Sequence, residues 1–338
     1  MSGINPSFHR IELPGSRLRS LAFDSDGLVD WVGGRRYRFD GTIEILDMGD
    51  LCRFDAAVGL GSCGVLFGAL STKGVLFRDN GKRPTEKRAS LTVDIMREID
   101  RSDYRAHNYW YPVALFDLYD GRRILAHCPR GYNVIDLEEL DGKCLTPRSA
   151  TGAEDVFHAR LEASVDGRWL LSNGWIWQPM DVVCVYDLAR AIADPAYLST
   201  RGEPLHFGED WDYEILGATF IDHRVICSGA EEGRYALGIY DLTARCHERT
   251  IKLAEPAGTR LMQIDHDHVV LFDGHPRVLQ LSSGRIIERF EGLNGGPGIH
   301  QPSVRMAAPA PPWLATDAKT SRFALGEADR IVVVSAVT

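Results

Sequence analysis

The sequence predicts an all-β fold, a seven-bladed β-propeller of four-stranded antiparallel blades whose N-terminal strand closes the last blade. Three observations lead there. Short runs alternate apolar with polar residues, tight Asp-Gly and Asn-Gly dipeptides cut them, and the pattern recurs along all 338 residues. Period-two alternation broken by such dipeptides is the strongest short-range signal for antiparallel hairpins. It is plainest in residues 161–188. There Leu161-Glu162-Ala163-Ser164-Val165 alternates, Asp166-Gly167 turns, and Trp169-Leu170-Leu171 starts a second run that Asn173-Gly174 breaks before a third at 182–188.

The first unit has strands at 18–23, 28–32, 35–39 and 42–48, separated by Ser25-Asp26-Gly27, Gly33-Gly34 and Asp40-Gly41. The second has 54–59, 65–70 and 74–77, then a basic connection at 82–88 and a fourth strand at 89–96. The third follows with 113–118, the turn Asp120-Gly121, 123–127, 133–137 and the short run Lys143-Cys144-Leu145. The unit at 161–188 is the fourth. A fifth occupies 215–220, 225–228, 236–242 and 249–253, and a sixth 261–264, 268–272, 277–281 and 285–290. A degenerate seventh is made from 304–307, 313–316, 323–326 and 331–337.

Seven units in this length average about 48 residues, within the span of propeller blades. An open row of such sheets would leave long unpaired edges, whereas a closed ring leaves only short ones. Residues 8–13 alternate, with Ile11 and Leu13 on one side, and are expected to pair with the final blade as an added strand. A short helix is expected at 188–193, which is rich in helix formers and stops at Asp194-Pro195. The stretches 292–302 and 309–312 read as a long flexible loop and an extended connection. One domain, 1–338, accounts for the whole chain.

The Asp-Gly first turns, and the third-strand endings Val134-Ile135-Asp136-Leu137, Val185-Tyr186-Asp187-Leu188 and Ile239-Tyr240-Asp241-Leu242, carry a resemblance. In these features the chain resembles the tryptophan-aspartate-repeat (WD-repeat) superfamily of propellers, over most of its length. Its third strands end in Asp-Leu without a tryptophan, and no Gly-His pair precedes a first strand.

Composition narrows the function classes. Hydrophobic residues at 44% and charged residues at 25% are those of a soluble globular protein, not of a disordered one. A net charge of -9 repels phosphate backbones, so nucleic acid is not expected as a partner. Seven cysteines, an odd number with no Cys-x-x-Cys pair, fit a reducing cytosol, and Cys184 and Cys227 sit in apolar runs. No apolar leader opens the chain and no segment nears the roughly eighteen apolar residues of a membrane helix. A cytoplasmic location, no membrane contact and a monomer are therefore expected.

In a four-stranded meander, the connection between second and third strands emerges on the same face as the connection to the next blade. Unusual residues concentrate there: Tyr104, His107, Tyr109, Trp110 and Tyr111 before the third unit, Trp175 and Trp177 within the fourth, and His206, Trp211 and Tyr213 before the fifth. Interleaved with Arg101, Asp103, Arg105, Glu209 and Asp210, they have the make-up of an interface, since Tyr, Trp and Arg dominate hot spots. Eight of them, Tyr104, Tyr109, Trp110, Trp175, Trp177, His206, Trp211 and Tyr213, form the candidate binding surface for a protein partner.

Other motifs have simpler explanations. Asp265-His266-Asp267-His268 has metal-binding residue types, but it falls where a first hairpin turn is due, and Asp222-His223 repeats it one unit earlier. His127 and Cys128 are neighbours on a strand and point to opposite faces, so they cannot act as base and nucleophile; a buried Cys128 and a partly exposed His127 are expected. Asn294-Gly295-Gly296-Pro297-Gly298 precedes no helix and does not read as a phosphate loop. No cofactor or metal is expected. The favoured function is a non-catalytic interaction scaffold. The alternatives are a hydrolase or lyase acting on a small molecule at the ring's axis, and a bacterial accessory or toxin-neutralising protein.

Overall fold

The computed structural model describes residues 5–13, 17–82, 91–149, 151–177, 180–209, 211–296 and 313–337. Most of the basic connection after residue 82, Gln178, Asp210, the predicted strand at 304–307 and the predicted loop segments 297–302 and 309–312 lie outside the described residues.

The described strands form seven antiparallel meanders arranged around an axis. Blade 1 comprises Ala22–Asp24, Gly27–Asp30, Arg35–Arg38 and Ile43–Ile45. Blade 2 runs from Ala56–Leu60 through Cys63–Phe67 and Lys73–Asp79 to Val93–Asp100. Blade 3 holds Val113–Asp117, Arg123–His127 and Asp136–Glu139, and blade 4 holds Leu161–Ala163, Trp169–Ile176 and Met180–Asp187. Blade 5 comprises Glu214–Ile221, Arg224–Glu231, Arg234–Asp241 and Cys246–Leu253, and blade 6 Leu261–Gln263, His268–Leu271, Arg277–Gln280 and Arg285–Arg289. Blade 7 takes Trp313–Asp317, Arg322–Gly326 and Arg330–Val337 from one chain end and Asn5–Glu12 from the other.

The core is distributed between the blades. Each pair of successive sheets shares one apolar cluster: Leu66 with Trp31, Leu125 with Phe67, Leu170 with Ile124, Val225 with Leu171, Val269 with Ile226, Phe323 with Val270, and Leu28 with Ala324. The last of these joins blade 7 to blade 1, so the ring is closed by side-chain packing as well as by a strand. The N-terminal strand pairs with Arg330–Val337 in unbroken register from Asn5 opposite Val337 to Glu12 opposite Arg330. It is the outermost of four strands in the described blade 7, with Ile11 and Leu13 buried and the Leu13 amide donating to the Asp329 carbonyl at 2.7 Å.

Several expectations are corrected. Asn173-Gly174 does not break its strand, which runs on from Trp169 to Ile176. Gly174 is needed for another reason: a Cβ there would lie 2.4 Å from the Phe157 carbonyl oxygen, where the preceding loop adds a bridge between Phe157 and Trp175. In blade 3 the third strand begins at Asp136, and the expected fourth shrinks to a single bridge between Glu138 and Cys144.

Blade 4 has no described fourth strand of its own. The predicted helix is present as Leu188–Ala193, with the Asp187 carboxylate accepting from the Arg190 amide, and a 3-10 turn, Pro195–Ser199, follows. The chain then returns along the sheet edge, where the Glu203 amide donates to the Val185 carbonyl at 2.7 Å, covering a strand that would otherwise be open.

His127 is buried, not partly exposed, because its Nε2 lies 3.1 Å from Glu138, which Arg97 of blade 2 also holds. Burial alone would raise the Glu138 carboxyl, but His127 and Arg97 keep it below the usual carboxylate range. Cys128, Cys184 and Cys227 are free and buried. Residues 264–267 form the turn expected of them, with Asp265 accepting from His268 Nδ1 and Asp267 from the Ser282 amide and hydroxyl.

Candidate functional site: an aromatic rim above an axial cavity

The loop between blades 2 and 3 is organised by Arg101, whose side chain is buried at its base. The guanidinium donates to four backbone carbonyls, those of Ser71 at 2.7 Å, Ala106 at 2.7 Å, Tyr109 at 3.2 Å and Trp110 at 3.3 Å. It also lies 4.5 Å and 4.9 Å from the Tyr109 and Tyr111 ring centroids. A planar donor fork suits such convergent carbonyls, so Arg101 holds the loop from within and is not part of its surface.

On that base rests a continuous aromatic stack drawn from four connections. Phe157, buried just ahead of blade 4, stacks on Trp175 at 4.0 Å and on Tyr132 at 4.2 Å, with Tyr109 edge-on at 5.5 Å. Tyr104 lies 5.1 Å from Tyr132, and Trp177 lies 5.9 Å from Trp175. The outermost members are open to solvent: Tyr104 is 49% and Trp177 53% exposed, and the Arg105 guanidinium sits 5.5 Å from the Trp177 ring.

The remaining predicted residues lie beside this stack or away from it. Trp110 is half-buried, packs against the Tyr109, Phe157 and Trp175 cluster and edge-on against Phe67 at 6.1 Å, and lines the axial cavity. Trp211 and Tyr213 form a second group with Phe207 on blade 5, at 4.9 Å and 5.1 Å along the chain of rings. This group lies on a floor of glycine, since a Cβ on Gly229 or Gly238 would come within 2.8 Å of the Trp211 ring. His206 is exposed. Seven of the eight candidates thus divide between two clusters, His206 stands apart, and Tyr109 and Trp175 serve as buried support beneath Tyr104 and Trp177. Sequence reasoning missed Tyr132 and Phe157, although both stand in the same two kinds of connection that drew attention to the others.

At the centre, first strands of successive blades enclose a cavity of about 350 Å³. Its wall is about half apolar, with Leu21, Val58, Leu261 and Trp313 among its members, and it carries three ionisable side chains, Arg160, Glu162 and Arg260. Burial pushes the Glu162 carboxyl up to about 7, although Thr219 donates to it at 2.7 Å. Burial and the neighbouring Arg260 charge bring the Arg160 guanidinium down to about 10, against the opposing pull of Asp181. Arg160 has a left-handed backbone, φ 44°.

Solved structures resemble this arrangement. The propeller of Dos1 matches with a TM-score of 0.55 and 9% identity, over 98% of this chain and 95% of that one. The WD40 β-propeller domain of Doa1 matches with a TM-score of 0.55 and 9% identity, over 98% and 97%. The chain has the fold of the WD-repeat propellers. No protein-family model and no curated protein sequence matches it. At this identity the likeness to WD-repeat propellers concerns architecture, and the chemistry of the rim and cavity must be argued from the side chains themselves. Among the described residues no helix is long and apolar enough to cross a membrane.

Proposed function

We propose that this propeller is a non-catalytic scaffold that binds a protein partner through the aromatic rim centred on Tyr104 and Trp177. The observation that carries the reading is the combination of half-exposed rings with a rigid floor. Tyr104 and Trp177 rest on the buried Phe157 and Trp175, and Met180, opposite Ile176 at the start of the next strand, is 53% exposed. Rings already held in place lose little side-chain freedom on association, which is how a small patch gains affinity. Arg105 and Asp103 flank the rings and give the polar border that interfaces require.

Affinity capture from the native extract, quantified by mass spectrometry, tests this with two variants. Tyr104→Ala combined with Trp177→Ala removes the exposed rings, and Tyr119→Ala removes an exposed ring from a first-strand turn on the opposite face. Partners retained by the wild type and by Tyr119→Ala should fall at least about tenfold with the rim variant, as expected for loss of hot-spot aromatics. Equal recovery from all three proteins refutes the rim.

A further inference from the structure

The axial cavity has chemistry that the rim does not use. Its volume, about 350 Å³, lies in the range of small-molecule sites, and its surface is divided almost evenly between apolar and polar atoms. Arg260 is exposed where it opens onto the cavity, although protein atoms crowd around it, and among the described residues its guanidinium has no hydrogen bond or ion pair. Enclosure lowers its proton affinity, and no acid offsets that effect. The positive charge of Arg160 stands close enough to add repulsion. Asp181 attracts Arg160, and Glu162, the single acid on the wall, is near half-protonated at neutral pH, so the charge of Arg260 is left without an acid of its own. The Trp313 indole N–H is buried on the same wall without an acceptor among the described residues.

We infer that the axial cavity binds a small organic acid, its carboxylate held by Arg260 with Arg160 behind it and its apolar body against Leu21, Val58, Leu261 and Trp313. A planar guanidinium pairs with a carboxylate through two parallel hydrogen bonds, and an anion there relieves the mutual repulsion of the two arginines. The apolar half of the wall favours an organic body over a fully hydrated inorganic anion. The left-handed backbone at Arg160 fits a constrained binding position, because such strain gathers at ligand sites.

The site is separate from the rim, so each can fail alone. Calorimetric titrations of the purified protein with sodium benzoate, sodium hexanoate and sodium phosphate at constant ionic strength provide the test. The two carboxylates should bind saturably and more tightly than phosphate. Arg260→Gln should weaken them by at least about tenfold, the usual scale for a lost charge-assisted pair. Thr316→Phe, which places a ring at an exposed position on the cavity wall, should block them while leaving the melting temperature near that of the wild type. The absence of saturable carboxylate binding, tighter binding of phosphate, or unchanged affinity in both variants overturns the assignment.

Discussion

Protonation of His158 is costly because the ring is enclosed between blades 3 and 4. Its Nδ1 lies 3.0 Å from the Ser172 hydroxyl, which ties the loop ahead of blade 4 to the second strand. Burial, reinforced by the Arg148 charge, depresses its proton affinity to about 3. The ordinary value in an unfolded chain is about 6.5, so between about pH 6.5 and pH 3 the unfolded state binds the extra proton and the folded state does not. Stability is therefore full above this window and declines as pH falls through it, by up to about 1.4 kcal/mol per pH unit. His158→Gln should flatten that slope. Urea unfolding of both proteins from pH 7 to pH 4 checks it, and parallel curves would show that His158 is not the group responsible. The sequence marks neither partner, because a lone histidine and a lone serine gain their meaning only from the contact.

The strand Asn5–Glu12 is the element on which closure depends. It completes the backbone pairing of Arg330–Val337, and Ile11 adds its side chain to the apolar cluster that joins blades 7 and 1. Ile11→Ala should destabilise by about 2–5 kcal/mol, since it removes buried methylenes and leaves a void. Deletion of residues 1–13 should do more, because it also leaves eight residues of strand edge unpaired. The midpoint of chemical unfolding measures both, and a deletion variant that unfolds at the wild-type midpoint would show that the strand does not close the ring. This element was legible because alternation at 8–13 is a local signal. Asn173-Gly174 misled for the converse reason: the dipeptide suits a turn, yet its glycine serves a close approach to Phe157 that no local pattern reports.

Across the whole molecule, neighbouring blades are joined by buried charges as well as by apolar packing. Arg36 of blade 1, nearly inaccessible, reaches Asp24 of its own blade and Asp79 of blade 2, each at 2.6 Å. The contact with Asp24 is made through Nε by charge, without hydrogen-bond alignment. Arg36→Leu would leave these carboxylates enclosed without their cation and should cost about 3–5 kcal/mol. Lys73→Ala removes an ion pair to Asp100 whose members are both mostly in water, and should leave the unfolding midpoint unchanged. Equal effects from the two substitutions would mean that the Arg36 network contributes no more than a surface pair. Glu138, shared by Arg97 of blade 2 and His127 of blade 3, repeats the device one blade further on.

The sequence alone determined the number of blades, the order of most strands within them, the short helix after blade 4 and the strand that joins the two chain ends. Each of these follows from interactions between residues close in the chain, or from one alternating run that must find a partner. Tertiary structure alone decided which rings of the rim are buried support and which face water, and it brought Arg160, Glu162 and Arg260 to one cavity. Those outcomes depend on contacts between residues from different blades, whose distance along the chain bears no relation to their distance around the axis.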